Sequence, residues 1–166
     1  MPPPLRAAAV HGISYRPMAD DDLPFVGELY ASTRREEVAA TGWPAEIQEA
    51  FLRQQHEAQH SHYAQHFAEA EWLIVERAGE AIGRLYLHEH PEQFHIVDIS
   101  LVPAARGHGI GGAILRDVLG EAHALGKAVT IHVEKVNPAR RLYERLGFVM
   151  VEDLGIYDLM RAPPGP

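Results

Sequence analysis

Arg106-Gly107-His108-Gly109-Ile110-Gly111-Gly112 is the stretch of this 166-residue chain on which the fold turns. It follows an apolar run, Ile96 to Val102, closed by Pro103. It precedes a segment whose apolar positions Ile110, Ile114, Leu115, Val118, Leu119, Ala122 and Leu125 recur at helical spacing as far as Gly126. A strand therefore leads into the loop and a helix leads out. The first amides of a helix have no intrahelical partner and carry partial positive charge, and glycines let a bulky anion approach them with no Cβ in the way. A pyrophosphate is the natural guest, with Arg106 adding a charged fork to the same group. The plainer alternative is a tight turn with ordinary helix packing. Gly107, Gly109 and Gly112 also fit G-x-G-x-x-G, with Glu134 at the distance of a ribose contact. That dinucleotide reading fails on context. Pro103-Ala104-Ala105-Arg106 separates strand from glycines, and only 32 residues follow Glu134, too few to complete a long parallel sheet.

Upstream of the loop, Trp72 to Glu76 and Ala81 to Leu87 flank Gly79-Glu80 as a hairpin, and a third strand covers Phe94 to Val102. Earlier still, Ile13 to Arg16 alternates as a short strand, and Asp20-Asp21-Asp22 gives a negative first turn to a helix expected to end near Arg35. After Gly42-Trp43-Pro44 a helical stretch runs to about Ala70, with apolar contacts at Ile47, Phe51, Ala58, Tyr63 and Phe67. Its centre, Gln54 to His62, is polar nearly all round, which admits two helices as readily as one. Downstream, Ala128 to Val133 reads as a strand, Asn137 to Leu146 as a helix, and Phe148 to Glu152 with Gly155 to Met160 as a closing strand pair. The order βααβββαβαββ is an α/β (α+β) layer fold, a mixed sheet with helices against it. Proline and alanine at the two ends mark residues 1–11 and 162–166 as expected tails around one domain, residues 12–161.

Composition narrows the function classes. Asp plus Glu number 23 against 15 Lys plus Arg, a formal charge of −8, and no basic run interrupts the acidic balance, so nucleic acid is disfavoured as a partner. No cysteine is present, which excludes a thiol nucleophile, a thiolate metal site and a redox pair. No apolar stretch approaches the roughly 20 residues of a membrane helix. The expectation is a cytoplasmic protein with no membrane partner.

A second block agrees with the glycine loop. Asn137-Pro138-Ala139-Arg140-Arg141-Leu142-Tyr143-Glu144-Arg145-Leu146-Gly147-Phe148 opens with a good N-cap and a proline suited to the first helical position. Ala139, Leu142, Tyr143 and Leu146 share one face, so Tyr143 points inward, where a core aromatic with its hydroxyl at the rim is the ordinary reading. Arg106-x-x-Gly109-x-Gly111 after its strand resembles the acyl-CoA loop of the GCN5-related N-acetyltransferase (GNAT) family. The second block resembles that family's Asn-x-x-Ala-x-x-x-Tyr-x-x-x-Gly-Phe pattern, with Arg140 in the alanine slot. One helix and one strand separate the two blocks, as in the family. The likeness in element order covers about Ile13 to Arg161.

The resemblance implies a mixed, mostly antiparallel central sheet and transfer of an acetyl group from acetyl-CoA to a primary amine, on a small molecule or a peptide, by direct attack in a ternary complex. That suits a chain without a cysteine to carry a covalent intermediate. It places the pantetheine arm on freed backbone groups around Leu101 and Val102, the pyrophosphate on Arg106, Gly107, His108, Gly109, Ile110, Gly111 and Gly112, and Asn137 beside the arm. Tyr143 becomes the acid that protonates the departing thiolate; its reference pKa near 10 is not far from a thiol's. It also allows a homodimer.

For the amine's proton, a period of two puts Ile96, Asp98 and Ser100 on one strand face, which makes Asp98 the first candidate base, with His95 and Glu92 behind it; a structural ion-pair role is the alternative. Tyr30 and Trp43 are candidates to line the acceptor pocket. His56, His60, His62 and His66 are spaced as two i, i+4 pairs that face different ways, so a solvated face is favoured over a metal site, and no metal is expected. The other functional class is a non-catalytic module that holds acyl-CoA on the same fold.

Overall fold

The structure is a computed structural model that describes residues 1–165. Its elements are β1 (Ile13–Pro17), α1 (Leu23–Ala39), α2 (Ala45–His66), β2 (Glu71–Arg77), β3 (Glu80–Glu89), β4 (Gln93–Leu101), α3 (Ile110–Ala124), β5 (Ala128–Glu134), α4 (Arg140–Arg145), β6 (Val149–Leu154) and β7 (Tyr157–Ala162). The order matches the sequence expectation. The strands form one seven-stranded sheet, β1-β2-β3-β4-β5-β7-β6, in which β4 and β5 run parallel and every other neighbouring pair antiparallel.

Side chains alternate across this sheet and each face meets different helices. On one face Leu73, Val75, Leu85, Leu87, Phe94, Val129, Ile131 and Val133 form the main core with Ile110, Ile114, Leu115 and Val118 of α3. The other face carries Arg84, Tyr86 and Asp98, which meet Gln59 and Tyr63 of α2. This explains the polar middle of α2. It is one continuous helix because its buried face answers a polar floor, so polarity all round marks no break there.

A bulge in β4 corrects the expected grouping of its side chains. The β3 register shifts between Tyr86, opposite Asp98, and Leu87, opposite Ile96, so Val97 is an extra residue. Ile96 therefore lies with Ile99 and Leu101 against α3, while Asp98 and Ser100 face α2. At the same point β4 parts from β5. Their pairing ends at Ile96 opposite Ile131, and β5 goes on beside β7 as far as Glu134 while β4 keeps only β3. A wedge-shaped gap opens between two parallel strands, facing the glycine loop.

Gly83 permits the close approach of β3 to the end of β4. A Cβ there would lie 2.3 Å from the Ser100 carbonyl oxygen and 2.8 Å from Leu101 Cδ2. Gly83→Ala is expected to lower stability by about 3 kcal/mol or more, read as a drop in urea midpoint.

The expected tails are partly built into the fold. The backbone amides of Arg6, Ala7 and Ala8 donate to Asp117 of α3, and Ala8 is fully buried, opening a short 3-10 turn, Ala8–His11. At the other end Ala162 is a buried residue of β7; Pro166 lies outside the described residues. A local reading misses the N-terminal anchor because its acceptor is more than a hundred residues away.

Candidate active site

The gap is lined on its β4 side by backbone. Val102 N–H donates to Ile82 O at 2.8 Å and Val102 O accepts from Ala105 N–H at 2.9 Å, so both of its polar groups are engaged. Antiparallel alternation then turns the N–H and C=O groups of Leu101 and Ile99 away from β3 and into the gap. Leu101 thus faces the gap, with its N–H free of β3 and its carbonyl taken by Arg106. Val102 does not, because the turn after β4 consumes its amide and carbonyl.

The glycine loop closes the wide end. Gly107 and Gly109 have φ of 76° and 82°, left-handed values that favour glycine, and Gly109 caps α3. The amides of Ile110, Gly111 and Gly112 in the first turn of α3 are left without intrahelical partners. A Cβ on Gly107 would meet nothing within 4 Å and one on Gly111 only Leu101 Cδ1 at 3.9 Å, so space over the loop is open to a bulky anion. His108 is exposed at its tip. Arg106, expected to add a charged fork to the pyrophosphate, is instead engaged within the protein. Its Nε donates to Leu101 O at 2.9 Å and its terminal nitrogen to Ser32 Oγ at 3.1 Å, bracing the end of β4 against α1. Beside the loop amides, a terminal nitrogen of Arg116 lies 3.6 Å from the place a Cβ on Gly112 would occupy.

Tyr143 enters from α4. The helix is shorter than expected because Asn137 to Ala139 form a turn, in which Asn137 Oδ1 accepts the Ala139 N–H at 2.8 Å. Tyr143 is 6 % exposed and packs edge-on against Phe148, ring centroids 5.9 Å apart. Burial first, and then the charge of Asp98, push its phenol up to about 12. The hydroxyl is thus a stable proton donor in reach of Asp98's field.

Asp98 is at the centre of a buried network. Its Oδ2 accepts from Arg84 at 2.8 Å and from the Tyr63 hydroxyl at 2.9 Å, and its Oδ1 accepts from Ser100 Oγ at 2.7 Å. Arg84 is 2 % exposed, lies 5.0 Å from the Tyr86 ring centroid, and donates also to Gln59 at 2.8 Å. With these donors on it, the carboxylate has the geometry of the ion-pair alternative rather than of a free base. The two reserve bases are misplaced. His95 lies where β4 and β5 are still zipped, its Nδ1 paired with Thr130 Oγ1 at 2.9 Å and its ring stacked on Phe67, and Glu92 is exposed beyond that end. Burial, then the neighbouring His132, His90 and His88, push His95 down to about 4. Its folded form is neutral, so its contribution is absent above the ordinary value of about 6.5 and destabilises progressively as pH falls from there to about 4. His95→Gln is expected to flatten that window in a pH series of thermal midpoints, by about 3 kcal/mol at its acid end.

Beside this network lies a cavity of about 470 Å³ lined by Tyr30, Arg34, Phe51, Gln55, Gln59 and Tyr157, among others. Tyr30 is on its wall as expected. Trp43, 41 % exposed, stands behind it, edge-on to Phe51 at 5.4 Å. Arg34 pairs with Glu134 at the end of β5, and that hydrogen bond holds the Glu134 carboxyl below the usual range. Gln59 joins the cavity to Arg84 and hence to Asp98 and Tyr143. Arg34, Gln59 and Arg84 were not singled out in the sequence, Tyr63 stood there only as an apolar contact of α2, and Glu134 only as the ribose contact of the dinucleotide reading. Arg84 was the detectable one, since an arginine inside the apolar run Ile82 to Leu87 needs a buried partner.

The histidine face of α2 also differs from expectation. His56 is buried, its ring 5.8 Å from Tyr30 with Nε2 unpartnered, and His60 packs edge-on to Trp72 at 5.4 Å. Among the described residues no group of three His, Asp or Glu side chains is arranged to hold a metal ion, and no helix is long and apolar enough to cross a membrane.

Comparison with known proteins bears on this arrangement. The model of the acetyltransferase (GNAT) family matches residues 32–148. Mycothiol acetyltransferase from Corynebacterium glutamicum is 32 % identical over 95 residues, which is 55 % of this chain; the match spans about a third (32 %) of that relative. The PaiA N-acetyltransferase from Thermoplasma acidophilum, solved in complex with coenzyme A, superposes with a TM-score of 0.67 at 17 % identity, over 91 % of this chain and 98 % of its own. A GNAT family acetyltransferase from Elizabethkingia anophelis, solved with acetyl-CoA bound, gives 0.60 at 17 % identity, over 92 % and 98 %. At such identity the structures show a shared fold.

Proposed function

Because the chain belongs to the GNAT acetyltransferase family, we propose that it is an N-acetyltransferase that moves an acetyl group from acetyl-CoA to a primary amine by direct attack in a ternary complex. The observation that carries this reading is the wedge between β4 and β5, open beyond Ile96 and Ile131 beside the glycine loop, with Tyr143 buried nearby on α4. Acetyl-CoA, when bound, supplies the acetyl group as an activated thioester.

The chain's own residues would do the rest. The edge groups of Ile99 receive the pantetheine arm as an added strand, and the N–H of Leu101, whose own carbonyl is held by Arg106, is the donor available to polarise the thioester carbonyl. The amides of Ile110, Gly111 and Gly112 take the pyrophosphate. Asn137 Oδ1 is taken by the Ala139 N–H in the turn before α4, so its Nδ2 is the group left to reach the arm. Burial pushes the Tyr143 phenol up to about 12, so it holds its proton through the neutral range, and its hydroxyl is the donor to the sulfur as negative charge develops there and the thiol leaves.

The acceptor enters by the cavity beside Tyr30, Gln55, Gln59 and Tyr157. Its walls carry phenol, phenyl and amide groups together with Arg34 and Glu37, and the charges there are internally paired, Arg34 with Glu37 and Glu134, and Arg84 with Asp98 next to them. They suit one primary amine on a small or peptide scaffold. Since Asp98 is engaged by its donors, water removes the amine's proton in this scheme. Initial rates measured against both substrates test the order of events. Intersecting double-reciprocal lines support a ternary complex, and parallel lines would exclude it in favour of a covalent intermediate.

A further inference from the structure

We propose that the segment Arg6 to His11 braces the CoA-phosphate loop, and that Asp117, which locks the segment, is a positioning residue for the phosphate end of CoA. The proposal rests on the functional reading above and adds to it a part of the chain outside the matched residues 32–148.

Asp117 is 5 % exposed, two turns along α3 from the loop. Its Oδ2 accepts the Arg6 N–H at 3.0 Å and the Ala8 N–H at 2.9 Å, and its Oδ1 accepts the Ala7 N–H at 2.7 Å. Three consecutive amides converging on one carboxylate form a charge-assisted clamp of the kind usually made around a bound anion. The clamp fixes Ala8, which is fully buried, and so sets the following 3-10 turn to His11. There the His11 ring reaches the loop. Its Cε1 is 3.7 Å, and its Nε2 3.9 Å, from the place a Cβ on Gly109 would occupy.

Gly109 is the residue that caps α3 with a left-handed φ of 82° and so decides where the first-turn amides point. A loop containing Gly107 and Gly109 has much conformational freedom to lose when it closes on an anion. Contact from His11 on one side, with Asp117 holding the contact from the same helix, removes part of that freedom before the ligand arrives. Preorganisation of this sort appears as affinity. Asp117 itself lies too far along the helix to touch the ligand, so its effect passes through Ala8 and His11.

The test compares wild type, Asp117→Asn and His11→Ala by calorimetry with CoA, by competition with pantetheine, which has the arm but no phosphates, and by amide hydrogen exchange of the free proteins. Both variants are expected to bind CoA about tenfold more weakly, with pantetheine affinity unchanged and faster exchange confined to residues 107–112. Where Asp117→Asn does not fold, His11→Ala gives the same three readouts. Unchanged CoA affinity in a folded His11→Ala, or equal losses for CoA and pantetheine, would overturn the brace and leave the functional reading standing. A wild type that does not bind CoA at all would bring down the functional reading, and the brace with it.

Discussion

Tyr143→Phe is expected to lower kcat by about 10²- to 10³-fold while acetyl-CoA affinity and thermal midpoint stay near wild type. Phenylalanine keeps the edge-on contact with Phe148 and the buried volume, and removes only the hydroxyl. Loss of a donor made strong only as charge develops on sulfur acts on the transition state, so the loss falls on kcat. The pH profile gives an independent check. Burial and Asp98 raise the phenol from its ordinary value near 10 to about 12, so the protonated, active form persists as pH rises. The alkaline limb of kcat attributable to Tyr143 should lie near 12. A limb at 10 that disappears in Tyr143→Phe would show a phenol in water and contradict the buried placement.

Asp98→Ala is expected to cost about 3–5 kcal/mol of stability, because it strands the Arg84 charge at 2 % exposure and leaves the Tyr63 and Ser100 hydroxyls without their acceptor. Against a typical total of about 5–15 kcal/mol this is a third or more of the stability for all but the most stable proteins. Replacing both partners, Arg84→Met with Asp98→Leu, should recover most of the loss, since neither charge then remains buried alone. The urea midpoints of the two variants and the wild type, with their kcat values, decide between two roles. A stable Asp98→Ala with a large loss of kcat would restore Asp98 as the catalytic base.

The element order, the glycine loop and the inward direction of Tyr143 were legible because each is local: a cap, a periodicity, a run of residues without Cβ. What escaped depends on partners distant in sequence. The polar centre of α2 left one helix or two open because the floor that satisfies it, Arg84 and Asp98, is on β3 and β4. The strand face holding Ile96 was misassigned because one extra residue at Val97 reverses a period of two, and nothing in Phe94 to Leu101 marks the bulge. Val102 was taken for a free edge group although the turn that follows, through Ala105, uses it. The N-terminus looked like a tail because alanine and proline say nothing of a carboxylate at Asp117. His56 was read as solvated although α1 and Tyr30 cover it. Arg84 was the one distant feature with a visible signal.

The central claim is catalysis of acetyl transfer by this chain, and release of free CoA thiol from acetyl-CoA across a panel of primary amines and peptide N-termini measures it most directly. The account predicts amine-dependent, saturable release with at least one acceptor, falling at least about 100-fold in Tyr143→Phe. Tight CoA binding with no release above the amine-free rate on any acceptor would contradict it and make the chain an acyl-CoA-binding module.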